Sequence, residues 1–236
     1  MAITRHIPNF ITLLNLFSGC AAIVSASNGD FRGAFLFVAL GIFFDFFDGF
    51  FARMFKVAGP LGVQLDSLAD MVTSGVTPGY VLYLMMGQQT TPPFPGFAYL
   101  GFIVTLGSCM RLAKFNIDTR QTDSFIGLPT PANALFILSL PLVLAATDSL
   151  ILLEALINPY LLLVIAILSA WVMNAEIPLF SLKVKSFDLR KYALQFGFVA
   201  ACLVLITLFG YAGVTLSIVL YVLLSIIANL RNPARA

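Results

Sequence analysis

Residues 45–70 have the sequence DFFDGFFARMFKVAGPLGVQLDSLAD, which places four aspartates, Asp45, Asp48, Asp66 and Asp70, in a strongly apolar chain. An aspartate at the centre of a membrane helix costs roughly 2.5–3.5 kcal/mol to insert, and such acids are functional by default. The spacing is i, i+3 in the first pair and i, i+4 in the second, so each pair lies on one helical face. The stretch therefore predicts two helices whose carboxylates form a functional site.

The connection between the two acidic pairs contains Gly59 and Pro60 and is short. It predicts two antiparallel neighbouring helices, with all four carboxylates at one depth. Because like charges repel, a positive species is expected between them, and oxygen-only donors favour Mg²⁺ or Mn²⁺, with Ca²⁺ as a further candidate. The alternative is a set of acids paired with Arg53 and Lys56 for packing, but two bases do not neutralise four acids.

Composition places the chain among integral membrane proteins. Of its 236 residues, 60% are hydrophobic and only 10% are charged, with a mean hydropathy of +0.97. Soluble domains carry roughly 25% charged residues. The net charge of +2 gives no electrostatic support for a nucleic-acid partner. His6 is the only histidine, which argues against a zinc site or a Ser-His-Asp triad.

Eight apolar segments approach the ~20 residues that a membrane helix needs. We therefore predict an all-α polytopic protein of about eight transmembrane helices, with residues 1–236 as a single transmembrane domain. With the N-terminus in the cytoplasm, every basic residue except Arg32 falls on the cytoplasmic side. This predicts cytoplasmic termini and an active site facing the cytoplasm, in the cytoplasmic (inner) membrane. The segments are 8–27, 32–54, 64–86, 95–114, 130–147, 157–175, 191–210 and 213–231.

Small residues around the acids suit a phosphate-containing ligand. Gly49 and Ala52 leave space on the first acidic helix, Gly62 opens the second, and Arg53 can bind a phosphate through two hydrogen bonds. Two cations held in one cage can clamp a phosphoryl group between the attacking and leaving oxygens. Phosphoryl-group chemistry is therefore the leading expectation from the residues themselves.

The same residues follow the order D-x-x-D-G-x-x-A-R, eight residues, then G-x-x-x-D-x-x-x-D, which is similar to the signature of the CDP-alcohol phosphatidyltransferase family. The resemblance implies transfer of a phosphatidyl group from a CDP-activated lipid to an alcohol, and a homodimer. It implies that the first three aspartates bind two divalent metals. It also implies that Asp70 shares a metal and acts as the general base. The residues are Asp45, Asp48, Gly49, Ala52, Arg53, Gly62, Asp66 and Asp70.

Two further stretches resemble the membrane-embedded phosphatidylserine synthases of this family. They are IPNFITLLNLFSG at 7–19, whose Asn9 and Thr12 are implied to lie near the nucleotide and phosphates, and RLAKFNIDTRQTDSFIGLPTPANA at 111–134. The resemblance covers 1–135 as a catalytic core, which the helices of 136–236 complete. It implies CDP-diacylglycerol and L-serine as substrates, giving phosphatidylserine and CMP.

The acceptor site leaves several alternatives open. Arg111, Lys114 and Arg120 can bind the serine carboxylate, bind lipid phosphate, or serve as positive-inside anchors. Thr130, as an N-cap, and Asn133 can present a helix N-terminus to an anion, or simply begin a helix. The same chemistry with glycerol 3-phosphate or an inositol phosphate is one alternative function. A cation transporter is another, although transporter sites lie near the midplane of repeated halves.

Overall fold

A computed structural model describes residues 6–88, 93–118, 126–180 and 192–231. Within these ranges the chain is helical, apart from an isolated bridge between Ile126 and Pro178, so the predicted all-α class is confirmed. The α-helices are α1 Ile7–Ser27, α2 Phe31–Met54, α3 Pro60–Asp70, α4 Thr77–Gly87, α5 Ile103–Ile117, α6 Thr130–Ala146, α7 Leu150–Ile157, α8 Pro159–Asn174, α9 Ala193–Phe209 and α10 Tyr211–Arg231. A π-helical turn, Met71–Val76, joins α3 to α4, and a 3₁₀ turn, Phe97–Phe102, leads into α5.

Local sequence explains several helix starts. The Asp30 side chain accepts a hydrogen bond of 2.8 Å from Gly33 N and caps α2. The Asn158 side chain caps α8 in the same way, by accepting from Tyr160 N at 2.9 Å. Pro60 opens α3 at a position where its missing N–H has no helical acceptor.

Within the described ranges, four helical segments are long and apolar enough to cross a membrane: Ile7–Ser27, Phe31–Met54, Phe97–Ile117 and Tyr211–Leu230. A fifth arises if α7 and α8, bent by 70°, count as one span, while α6 and α9 are shorter apolar helices. These lengths fit a polytopic membrane protein. Each of the eight predicted segments coincides with a helical region, but the number of spans and the orientation of the termini stay predictions.

Helix α1 is the centre of the N-terminal half. It packs against α2, α3, the π-helical turn and α4, and the small residues Ala22, Ala26 and Ala34 are buried in this region. Small side chains allow the close backbone approach on which membrane helix packing depends. Helix α1 is the main packing partner of both α2 and α3, and the acidic side chains of α2 and α3 meet beside it. Residues of α1 therefore enter the site.

The other helices surround this unit. Helix α6 packs against α2, the π-helical turn and α10, and α5 packs against α8. Helix α9 packs mainly on α10 and buries none of its side chains.

Candidate active site

Three of the four predicted aspartates come together, two from the C-terminal part of α2 and one from the second half of α3. Asp45 and Asp48 on α2 and Asp66 on α3 each place one carboxylate oxygen so that all three lie within 4.8 Å of one another. The i, i+3 spacing turns the α2 pair to one face, and Asp66 of α3 lies opposite that face. We call these three residues the aspartate triad.

The triad has the donor chemistry of a site for hard divalent cations. All its ligand atoms are carboxylate oxygens, which suit Mg²⁺, Mn²⁺ or Ca²⁺ better than zinc. Asp66 Oδ1 is buried and has no hydrogen-bond partner among the described residues. A buried carboxylate oxygen without a donor is costly, and a cation would satisfy it. The residues present therefore fit the metal that the sequence predicted.

Helix α1 supplies a hydrogen bond to each of two aspartates. Thr12 Oγ1 donates to Asp48 Oδ2 at 2.5 Å, and both side chains are buried. Asn15 Nδ2 donates to Asp70 Oδ1 at 3.0 Å. The second bond occupies one oxygen of Asp70 and fixes the carboxylate plane, which leaves Oδ2 for another partner.

Asp70 is not one of these three residues but lies close enough to interact electrostatically with Asp45; it is the last residue of α3, directly before the π-helical turn. Thr73 Oγ1 in this turn donates to Asn15 O at 3.0 Å, so the turn and α1 are joined beside Asp70. Turns of this kind in α-helices are frequent at functional sites. The predicted sharing of a metal by Asp70, and its role as general base, stay predictions.

A cavity of about 180 Å³ lies beside the triad and is lined by Asp48 and Asp66. A Cβ built at Gly49 would lie 3.4 Å from Arg53 Nη1, so the missing side chain leaves room under the guanidinium. Small residues, carboxylates and one guanidinium border this space. A phosphate bound there could contact both the Arg53 guanidinium and a cation held by the aspartates. All six residues predicted for nucleotide or phosphate line this cavity: Asn9, Thr12, Gly49, Ala52, Arg53 and Gly62.

A second cavity, of about 340 Å³, lies at the end of α5 and is lined by Arg111 and Lys114. The Arg111 side chain is buried, and its guanidinium carbon lies 5.4 Å from the centre of the Phe115 ring. Hydrogen bonds of 2.8 and 3.1 Å between Ser67 and Asn116 tie this end of α5 to α3, the helix that carries Asp66. The end of α5 that carries Arg111 and Lys114 is therefore held against α3.

The remaining acceptor candidates lie elsewhere. Thr130 is buried but is not an N-cap, because α6 begins at Thr130 itself and follows Pro129 without a side-chain cap bond. Asn133 lines a different, apolar cavity. Thr130 and Asn133 thus do not share the space beside Arg111, and Arg120 lies outside the described residues.

Sequence reasoning missed several residues of these sites. Asn15 and Thr73 hold Asp70 in place, and their signal was visible as isolated polar residues in apolar helices. Asn174 and Glu176, beyond the predicted catalytic core, line the cavity of Arg111. Their contribution depends on the packing of α8 against α5, which no local pattern indicates.

The chain is similar to known proteins over its N-terminal part. A family model described as CDP-alcohol phosphatidyltransferase matches residues 5–172. A Bacillus subtilis (strain 168) protein named CDP-diacylglycerol–serine O-phosphatidyltransferase is 38% identical over 127 residues, which are 54% of this chain and 70% of that protein.

This chain covers a smaller share of two further proteins that have the same name. The Helicobacter pylori (strain J99) protein is 36% identical over 132 residues, 55% of this chain and 54% of its own. The Saccharomyces cerevisiae (strain S288c) protein is 36% identical over 151 residues, 57% of this chain and 53% of its own. The chain therefore spans about half the length of these two relatives.

Proposed function

The chain belongs to the CDP-alcohol phosphatidyltransferase family, and we propose that it transfers the phosphatidyl group of CDP-diacylglycerol to the hydroxyl of L-serine. The observation that carries the reaction class is the aspartate triad beside a phosphate-sized cavity with Arg53. The serine acceptor is supported by the names of the relatives, in bacteria and yeast alike. The products are phosphatidylserine and CMP.

Asp45, Asp48 and Asp66 hold two divalent cations in this proposal, Mg²⁺ or Mn²⁺. Bound cations of this kind supply charge neutralisation at the diphosphate and stabilise the departing oxygen. Thr12 orients Asp48 through its hydrogen bond. Arg53, Asn9 and the small residues Gly49 and Gly62 bind and orient the nucleotide and its phosphates in the adjoining cavity.

The proposed reaction is a direct displacement. The serine oxygen attacks the phosphorus on the lipid side of the diphosphate, and the new P–O bond forms as the bond from phosphorus to CMP breaks. CMP leaves with the electron pair, and the serine proton passes to Asp70 Oδ2, because Asn15 holds Oδ1. Arg111 and Lys114 are the candidates for the serine carboxylate.

The proposal also includes the topology of the chain in the membrane. All eight apolar regions cross the cytoplasmic membrane, residues 1–236 form one domain, and both termini and the site face the cytoplasm. The clustering of Arg53, Lys56, Arg111 and Lys114 at the helix ends around the site supports this orientation. Two copies form a homodimer, as the family resemblance implies.

The test is CMP release from CDP-diacylglycerol by the purified full chain in detergent. L-serine, glycerol 3-phosphate, inositol 1-phosphate and no acceptor are compared, with Mn²⁺, Mg²⁺ or excess EDTA. We expect release only with serine and a divalent cation. Release with a phosphorylated acceptor instead would keep the metal site and overturn the serine assignment. A folded protein that releases no CMP under any condition would overturn the enzyme and favour cation transport.

A further inference from the structure

A third cavity, of about 280 Å³, lies between α6, α8 and α10. Among the described residues, none of its lining residues lines the cavity of the triad or that of Arg111. Its walls are apolar, with Phe136, Ile165, Val172 and Val222 as typical members. The reaction proposed above makes no use of it.

Asn133 interrupts this apolar wall. Its side chain is 0% exposed, and in the part of the chain that the structure describes neither Nδ2 nor Oδ1 has a hydrogen-bond partner. Buried side-chain amides are nearly always paired, because an unpaired donor or acceptor lowers stability. An unpaired amide in an apolar cavity therefore points to a ligand that brings a polar atom into an otherwise apolar space.

The cavity opens toward the outer surface of the helical bundle. Leu168 on α8 and Leu223 on α10 line it and are 53% and 51% exposed. Helix α10 is a candidate membrane span, and α8 belongs to the bent candidate pair. An exposed surface on such helices faces hydrocarbon, so the mouth admits lipid chains rather than water-soluble molecules.

We propose that this cavity binds one acyl chain of a membrane glycerolipid, whose ester carbonyl accepts a hydrogen bond from Asn133 Nδ2. The methylene groups of the chain match the apolar walls, and the ester is polar without being charged. The described lining includes no charged side chain, so a charged headgroup stays outside. The hydroxyl of Ser169, 6% exposed, lines the same cavity as a second donor.

The experiment uses the full chain in nanodiscs of phosphatidylcholine, with a small fraction carrying a photoactivatable diazirine in one acyl chain. Phosphatidylcholine is neither substrate nor product of the proposed reaction, so failure of one proposal leaves the other testable. After illumination, mass spectrometry locates the label. We expect it to concentrate on cavity residues such as Phe136 and Val222, above the level on exposed Leu203 and Leu208 of α9.

Three variants sharpen the result. Ser169→Phe fills the cavity and should remove the cavity label, whereas Ile167→Phe, on the exposed surface of the same helix and outside the lining, should not. Ile165→Trp fills the same space if Ser169→Phe fails to fold. Asn133→Leu keeps the side-chain size but loses the ester contact, and should lower the cavity label about fivefold.

Each outcome decides a part of the proposal. Label spread evenly over all exposed helices, or cavity label that persists in a folded cavity-filling variant, would overturn the site. Unchanged or increased cavity label in Asn133→Leu would overturn the ester contact and leave an apolar chain site whose amide is satisfied by water.

Discussion

The first four helices and the last two satisfy their polar side chains in different ways. Around the aspartates the hydrogen bonds cross between elements: Thr12 donates to Asp48, Asn15 to Asp70, and Thr73 to the α1 backbone. The hydroxyls of α1 that lie away from the aspartates, such as that of Ser27, bond within their own helix. In α9 and α10 the serine and threonine hydroxyls mostly donate within their own helix, as Thr207 does to Leu203 O and Ser217 to Gly213 O. Helix α10 also donates from Tyr221 and Asn229 to the backbone oxygens of Phe180 and Pro178, outside any helix.

This difference separates side chains that hold a functional site together from side chains that lie in an apolar helix and bond only within it. A hydroxyl that bonds its own helix can be replaced by an apolar residue of the same size without leaving another group unpaired. A side chain that bonds a carboxylate on another helix cannot, because the carboxylate loses its donor in an apolar interior. Substitutions in the two regions should therefore differ sharply in effect.

The largest effect is expected for Asp70→Asn. Loss of a general base typically lowers the rate by about 10²–10⁴-fold. We expect a loss of this size in kcat for CMP release, with the divalent-cation dependence less changed than in Asp66→Asn. The matched control is Asp30→Asn, which keeps the α2 cap because asparagine also caps well. Equal loss in both variants would show that the acids act through folding.

Asn15→Leu should give the next largest loss. A hydrogen bond to a charged group is worth about 1.5–3 kcal/mol, which corresponds to roughly a 10- to 150-fold fall in kcat. Because Asn15 positions Asp70 rather than substrate, KM for serine should change little. The control is Thr207→Val in α9, which removes only a bond within its helix and should leave kcat unchanged. Full activity in folded Asn15→Leu would contradict the positioning role.

Much of this architecture was predictable because it depends on local rules. Each apolar segment must satisfy its backbone internally, so hydropathy identified the helical regions. The shared face of Asp45 and Asp48 follows from helix geometry, and the short connection through Gly59 and Pro60 brings Asp66 to them in the triad. Gly49 and Gly62 were recognisable because a missing side chain beside a carboxylate leaves room for a ligand to approach the backbone.

The rest depends on how distant segments pack. The π-helical turn after Asp70 and the packing of α1 against both α2 and α3 arise from tertiary contacts. Asn133 was expected beside the acceptor because it belongs to the stretch 111–134 and lies near the start of a helix whose N-terminus could attract an anion. Because α6 packs against α10, the Asn133 side chain lines an apolar cavity instead.

Substitutions of two glycines test whether the two regions also differ in how packing contributes to the free energy of unfolding. A Cβ at Gly19 in α1 would lie 2.9 Å from the Thr73 backbone, whereas a Cβ at Gly197 in α9 would meet nothing within 4 Å. Gly19→Ala should therefore cost about 1–3 kcal/mol of unfolding free energy by overpacking. Gly197→Ala should be neutral or stabilising by up to about 1 kcal/mol through helix propensity. Unfolding in mixed detergent micelles measures both, and equal losses would remove the distinction between the regions.

The smallest effect is expected for Thr215→Val, at one of the few hydroxyl contacts that α10 makes with another helix. Thr215 Oγ1 lies 2.7 Å from Ser139 Oγ on α6, and the Ser139 hydroxyl also lies 2.7 Å from Phe136 O. Because Ser139 keeps that partner, the variant should lose only about 0.6 kcal/mol, the usual value between membrane helices. Unfolding in mixed micelles measures the loss, and kcat should be unchanged. A loss as large as that of Gly19→Ala would mean that this contact between α6 and α10 is as specific as those around the aspartates, and that the two regions differ in degree rather than in kind.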